Sequence, residues 1–148
     1  MTILIPRKIQ TLYDLHSNPD QLHGYSTKEY RVPELAYELA RARPELRPKL
    51  ESTIAKDAEH AYWYAVFVKG KFPEGEPAIA KNPKFAQLYA AAIGKGRWRP
   101  GEAAIATDAR ESYEYAKIIQ GRFPAGEAAI AKSPRFSAYY KEFLESLE

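Results

Sequence analysis

The chain has 148 residues, a formal charge of +3 and no cysteine. That length suits one domain, which should bury about 68–70% of its unfolded surface. The absence of cysteine excludes disulfides, thiolate metal sites and cysteine nucleophiles, and the ordinary apolar content argues against wholesale disorder.

Residues 1–32 open the chain without a recurring pattern. MTILIPRKIQ places its apolar residues before its basic ones, unlike a secretory signal. No apolar run approaches the roughly 20 residues of a membrane span, so no membrane contact and a cytoplasmic location are expected. Ile9, Leu12, Tyr13 and His16 fit a short amphipathic helix before Ser17-Asn18-Pro19 breaks it. We read 1–32 as an N-terminal cap or arm, with Ile3-Leu4-Ile5 packed on the first repeat unit or reaching out.

From residue 33 the chain repeats itself. GKFPEGEPAIAKNP starts at Gly70, GRWRPGEAAIATDA at Gly96 and GRFPAGEAAIAKSP at Gly121, at offsets of 26 and 25 residues. A worn copy precedes them, with Pro48, Glu51, Ile54, Ala55 and Lys56 matching Pro73, Glu76, Ile79, Ala80 and Lys81. Self-similarity at such a period is the mark of stacked supersecondary units.

A second segment alternates with the first: AEHAYWYAVFVK from Ala58, PKFAQLYAAAIG from Pro83, ARESYEYAKIIQ from Ala109 and PRFSAYYKEFLE from Pro134. A small residue recurs at Ala61, Ala86, Ser112 and Ser137, and a tyrosine at Tyr64, Tyr89, Tyr115 and Tyr140. Ala65, Ala90 and Ala116 come next, then Val68, Ile93, Ile119 and Leu144. These are positions i, i+3, i+4 and i+7, one face of an α-helix. The last copy departs at Lys141, as a terminal unit with no neighbour would.

The ends of these segments agree. Asp57, Asn82, Asp108 and Ser133 stand where N-caps belong, with Pro83 and Pro134 at the first helical position. Asp108 with Glu111 makes a variant capping box. Gly70, Gly96 and Gly121 stand where a left-handed C-terminal residue is favoured. Glu76, Glu102 and Glu127 then open a short second helix. The expected fold is all-α: short two-helix tandem repeats of about 25 residues, in a solenoid-like or compact stack. The units are 33–57, 58–82, 83–108 and 109–133, with a terminal helix at 134–148.

The run G-[KR]-[FW]-P-x-G-E-x-A-I-A-K-[ND]-P, succeeded by a Tyr-Ala helix, resembles the tandem repeats of certain phage and large DNA virus proteins. The resemblance covers roughly residues 33–148 and departs at Arg99-Pro100, Ala58 and Ala109. It implies a virus-encoded helical-repeat protein and carries no catalytic residues with it.

Each candidate site has a structural alternative. The four tyrosines suit a base-stacking ladder or, better for an apolar helical face, a core with bonded hydroxyls. Lys71, Arg97, Arg99 and Arg122 would line one ridge that tracks a phosphate backbone, or pair with Glu76, Glu102 and Glu127. Phe72, Trp98 and Phe123 are expected to fill gaps between units. Those glutamates recur at stack spacing, roughly 10 Å, too far apart to share a metal ion. His16, His23 and His60 form no ligand or catalytic arrangement.

Trp63 and Phe67 fall outside the recurring core positions, since the sites equivalent to Trp63 hold Leu88, Glu114 and Tyr139. Trp63, with Tyr62 and Tyr139, is a candidate surface anchor, and burial of Trp63 under the N-terminal cap is the alternative. Together these features point to a non-enzymatic binding protein without a cofactor. The resemblance makes the expected partner a host protein or defence complex, blocked sterically as an anti-CRISPR-like inhibitor would block it. RNA or single-strand binding through the basic-aromatic turns, and a virion structural role with end-to-end oligomers, are the alternatives.

Overall fold

In a computed structural model, residues 33–148 are described, and all their regular structure is helical. The expected N-terminal cap lies outside the described residues. Among the described residues, nine α-helices succeed one another: α1 (Pro33–Ala42), α2 (Arg47–Ile54), α3 (Ala58–Tyr64), α4 (Glu76–Ile79), α5 (Pro83–Tyr89), α6 (Glu102–Ile105), α7 (Ala109–Ile119), α8 (Glu127–Ala131) and α9 (Pro134–Ser146). Wider π-turns extend α3 through Ala65–Lys69 and α5 through Ala90–Gly94. Single 3-10 turns at Pro44–Leu46, Pro73–Gly75, Arg99–Gly101 and Pro124–Gly126 lead into the even-numbered helices.

The four N-caps form as the side-chain chemistry dictates. Asp57, Asn82, Asp108 and Ser133 accept the backbone N–H of His60, Phe85, Glu111 and Phe136 at 3.0, 3.1, 2.9 and 3.3 Å. Each such bond is worth about 1 kcal/mol. The N–H of Asp108 already goes to the Ile105 carbonyl, so the cap does not need the reciprocal half of a capping box from Glu111.

The helix C-termini differ from expectation. The left-handed residues are Lys95 (φ 53°) and Gln120 (φ 55°), one position before the glycine. Of the described glycines, Gly70 (φ 86°, ψ −146°) and Gly96 (φ 158°) themselves have positive φ, which favours glycine. Gly70 and Gly121 donate N–H to the carbonyls of Ala65 and Ala116, five residues back, and Gly96 donates to Ala90, six back. The extra residue of the second copy is taken up by that longer loop.

Packing is sequential. Helix α3 lies on α1 and α5, α7 lies on α5 and α9, and α4, α6 and α8 each pack on the long helix before them. Ala61, Ala86 and Ser112 are fully buried. The small residue admits backbone: a Cβ on Gly75 would sit 2.7 Å from Ala61 Cβ, and one on Gly101 2.8 Å from Ala86 Cβ. The short helix therefore begins in van der Waals contact with the long one. Ile54 and Ile79 point into one core cluster and Ile105 and Ile130 into a second, each 2% exposed or less.

The four tyrosines are buried, each hydroxyl donates to a glutamate, and three of the four also accept a backbone N–H. Tyr64, Tyr89, Tyr115 and Tyr140 donate to Glu51, Glu76, Glu102 and Glu127 at 2.6, 2.8, 2.7 and 3.3 Å. The last three also accept the backbone N–H of Phe72, Trp98 and Phe123 at 3.2, 2.8 and 3.0 Å. The rings pack at steep tilts against those aromatics, with centroids 4.8 Å apart for Tyr64–Phe72, Tyr89–Trp98 and Tyr115–Phe123.

Burial, together with the acceptor carboxylate, raises these hydroxyls. Tyr89 and Tyr115 are each pushed up to about 12, and Tyr64 further still. Free tyrosine titrates near 10. Above that pH the unfolded chain loses protons that the native chain keeps, so stability is full below about pH 10 and falls as pH rises through the folded values. Urea unfolding across that range should show a marked drop between about pH 10 and 12. A flat profile over the same window would contradict the buried hydroxyls.

Candidate binding groove

The long helices turn one face to the core and the other outward, and the outward face holds what varies from helix to helix. Two open clefts run between them. One, of about 380 Å³ between α5 and α7, is lined by Lys84, Gln87, Leu88, Arg110, Glu111 and Glu114. The next, of about 350 Å³ between α7 and α9, is lined by Arg110, Tyr113, Glu114, Arg135, Phe136 and Tyr139. Arg110 and Glu114 line both, so the clefts lie side by side along α7 and together form the outward groove of three helices.

The sequence places its cations by a simple rule. Lys84, Arg110 and Arg135 are each the second residue of their helix, directly after Pro83, Ala109 and Pro134, and all three are exposed. None of them is in an ion pair among the described residues. Two of them lie against rings: Lys84 is 5.5 Å from the centroid of Phe85, and Arg135 is 5.7 Å from those of Phe136 and Tyr139. Arg135 also donates Nε–H to the Tyr139 hydroxyl at 3.4 Å, which leaves its terminal nitrogens as the donors open to a ligand.

The aromatic floor is a small cluster. Tyr113 is 6.0 Å from Phe136 and 5.8 Å from Tyr139, and Phe136 and Tyr139 meet edge to face at 5.9 Å. Lys117 lies 4.6 Å over Tyr113 and bonds Glu114 at 2.9 Å. Glu111, the other carboxylate of the groove, is held above the usual carboxylate range by burial, with Asp108 and Glu114 adding to it and the nearby charges of Arg110 and Lys84 opposing it.

The expected site residues divide between this face and the turns. Tyr139 is in the groove and 40% exposed. Tyr62 and Trp63 are on α3. Tyr62 is half-buried against Phe85, and Trp63 is half-buried between Tyr37 of α1 and His60, at 5.9 and 5.2 Å. Trp63 thus joins α1 to α3, and the N-terminal segment that would cover it lies outside the described residues. Phe67, further along, is 68% exposed.

Lys71, Arg97, Arg99 and Arg122 are exposed in the turns after the long helices and line neither cleft. Two of these are already engaged: Arg97 bonds Glu102 and Arg122 bonds Glu127, each at 2.7 Å. The same glutamates receive the tyrosine hydroxyls, so these side chains brace the fold. Reading for sameness between copies found the turns and missed Lys84, Arg110 and Arg135, whose equivalent in α3 is Glu59.

Among the described residues, no three His, Asp or Glu side chains group as metal ligands, and no helix is long and apolar enough to cross a membrane. No family model, no curated protein and no solved structure matches the chain.

Proposed function

We propose that this chain is a tandem helical-repeat protein that binds another protein, without catalysing a reaction, through the outward groove of α5, α7 and α9. The observation that carries the reading is the groove itself. Rings, unpaired cations and two carboxylates stand together there on rigid helices whose core positions hardly vary. Repeat proteins keep a constant frame and bind with what differs on it, and tyrosine and arginine are the residues that anchor such interfaces.

The resemblance to phage and large DNA virus repeats adds a direction: a host protein or defence complex, blocked by occupation of its surface. Nucleic acid is the weaker alternative, because Glu111 and Glu114 line the groove and Arg97 and Arg122 are already paired. End-to-end assembly into a virion structure is weaker too. Glu127, Lys141, Glu145 and Glu148 line the cleft at the α9 end, beside Ile130 and Leu144.

The test is affinity capture from nuclease-treated host lysate, comparing the parent chain with Tyr139→Ala and Arg110→Glu. Both positions are exposed, so melting temperatures should stay close to the parent. A partner retained by the parent and reduced about tenfold or more by either substitution is the expected result, as for a residue central to an interface. Equal capture by all three proteins would remove the groove as the site.

A further inference from the structure

The groove also says what kind of segment it takes. Resting on the binding reading above, we infer that the partner presents an acidic polyproline II segment with a carboxylate at every third residue, seated across Lys84, Arg110 and Arg135. Three observations lead there: the charge, its spacing and its aromatic surroundings.

The charge comes first. These three cations make no ion pair among the described residues, while Arg97, Arg122 and Lys117 all do. An exposed row of unpaired cations on a rigid face complements an acidic ligand, and such complementarity sets partner choice and approach. Glu111 and Glu114 sit between the cations. A ligand with continuous negative charge, such as a nucleic-acid backbone, would meet those carboxylates. A ligand with spaced carboxylates passes them.

The spacing selects the conformation. The cations occupy the same position on successive packed helices, whose axes lie about 8–10 Å apart. A polyproline II helix rises about 3.1 Å per residue with three residues per turn, so residues i, i+3 and i+6 share one face at about 9 Å intervals. A β-strand covers about 10 Å in three residues but turns alternate side chains to opposite faces. Its second carboxylate of the three would point away.

The surroundings agree. Phe85 lies beside Lys84, Phe136 and Tyr139 lie beside Arg135, and Leu88 and Tyr113 line the clefts between. Aromatic-lined grooves are how folded domains take up polyproline II segments. At α3 the equivalent position is Glu59, so the acidic segment ends at α5, and the ligand's charge preference reverses beyond it.

The experiment uses the full chain and three fluorescein-labelled peptides: EPPEPPEPP, its charge-reversed form KPPKPPKPP, and EEEPPPPPP of the same composition. A short oligouridylate is the fourth probe. Fluorescence anisotropy should show EPPEPPEPP binding at least tenfold tighter than the other peptides and the oligouridylate, with affinity falling as salt rises. Arg110→Gln and Arg135→Gln should each weaken it about tenfold, and circular dichroism confirms that both remain folded. The inference is overturned by equal binding of EEEPPPPPP, by tighter binding of oligouridylate, by indifference to both substitutions, or by no binding up to about 1 mM. A captured protein partner that depends on Tyr139 but does not compete with EPPEPPEPP would sink this inference and leave the binding reading standing.

Discussion

Replacing Gly126 with alanine is expected to cost about 3 kcal/mol of stability, the upper range for forcing a methyl group into a packed core. For a chain of this size that lowers the melting temperature by about 10 °C. The added Cβ would lie 2.5 Å from Ser112 Cβ and 2.7 Å from Phe123 Cδ2. Neither neighbour can yield cheaply. Ser112 is fully buried and donates its hydroxyl to the Ile105 carbonyl at 2.9 Å, and Phe123 is wedged against Tyr115. Adding Ser112→Gly removes the nearest obstacle and should recover part of the loss, with Phe123 still in the way. Thermal unfolding of the parent, the single and the double variant checks this. A single variant that melts with the parent would show that the short helix does not begin in contact with the long one.

Tyr115→Phe should be nearly as damaging although it deletes one atom. The hydroxyl donates to Glu102 at 2.7 Å and accepts the Trp98 N–H at 2.8 Å. A bond to a charged acceptor contributes about 1.5–3 kcal/mol, and a buried donor left without a partner adds its own desolvation cost. The expected loss is about 2–4 kcal/mol. Tyr140→Phe is the internal comparison. Its donation to Glu127 is longer, at 3.3 Å, and Tyr140 is 7% exposed, so the same change there should cost about 1 kcal/mol. Denaturant unfolding of both variants would decide the matter. Equal and small losses would mean that the hydroxyls are replaceable by water and do not tie each long helix to the turn before it.

Much of this was legible in the chain, for a physical reason. N-caps, the tyrosine stripe and the burial of Phe72 and Phe123 arise from local rules of spacing and hydrogen bonding that each copy states again. The pairing of Arg97 and Arg122 with Glu102 and Glu127 was an alternative the turns announced. The role of Gly75, Gly101 and Gly126 was not legible, because a close approach needs a second element, and the sequence does not say which small residue faces which glycine. The left-handed sites fell on Lys95 and Gln120, one residue before the glycine, although Gly70 and Gly121 close their helices with the same bond to an alanine five residues back.

The groove was hidden for the opposite reason. Its residues occupy one structural position but differ in type, as Glu59, Lys84, Arg110 and Arg135 do, so a search for repetition passes over them. Tyr139 was picked out only because it stands where Trp63, Leu88 and Glu114 stand in other copies. Packing α5, α7 and α9 side by side is what turns these scattered differences into one surface.

The most direct test of that surface is to ask where a captured partner touches the protein. A photoreactive benzoylphenylalanine placed at Tyr139, in the groove, is compared with one at Arg99, exposed in a turn. Irradiation in host lysate after nuclease treatment should give a discrete protein adduct from position 139 and none from position 99. An adduct from position 99 alone, or a nuclease-sensitive one, would place binding on the turns and contradict the groove as the binding face.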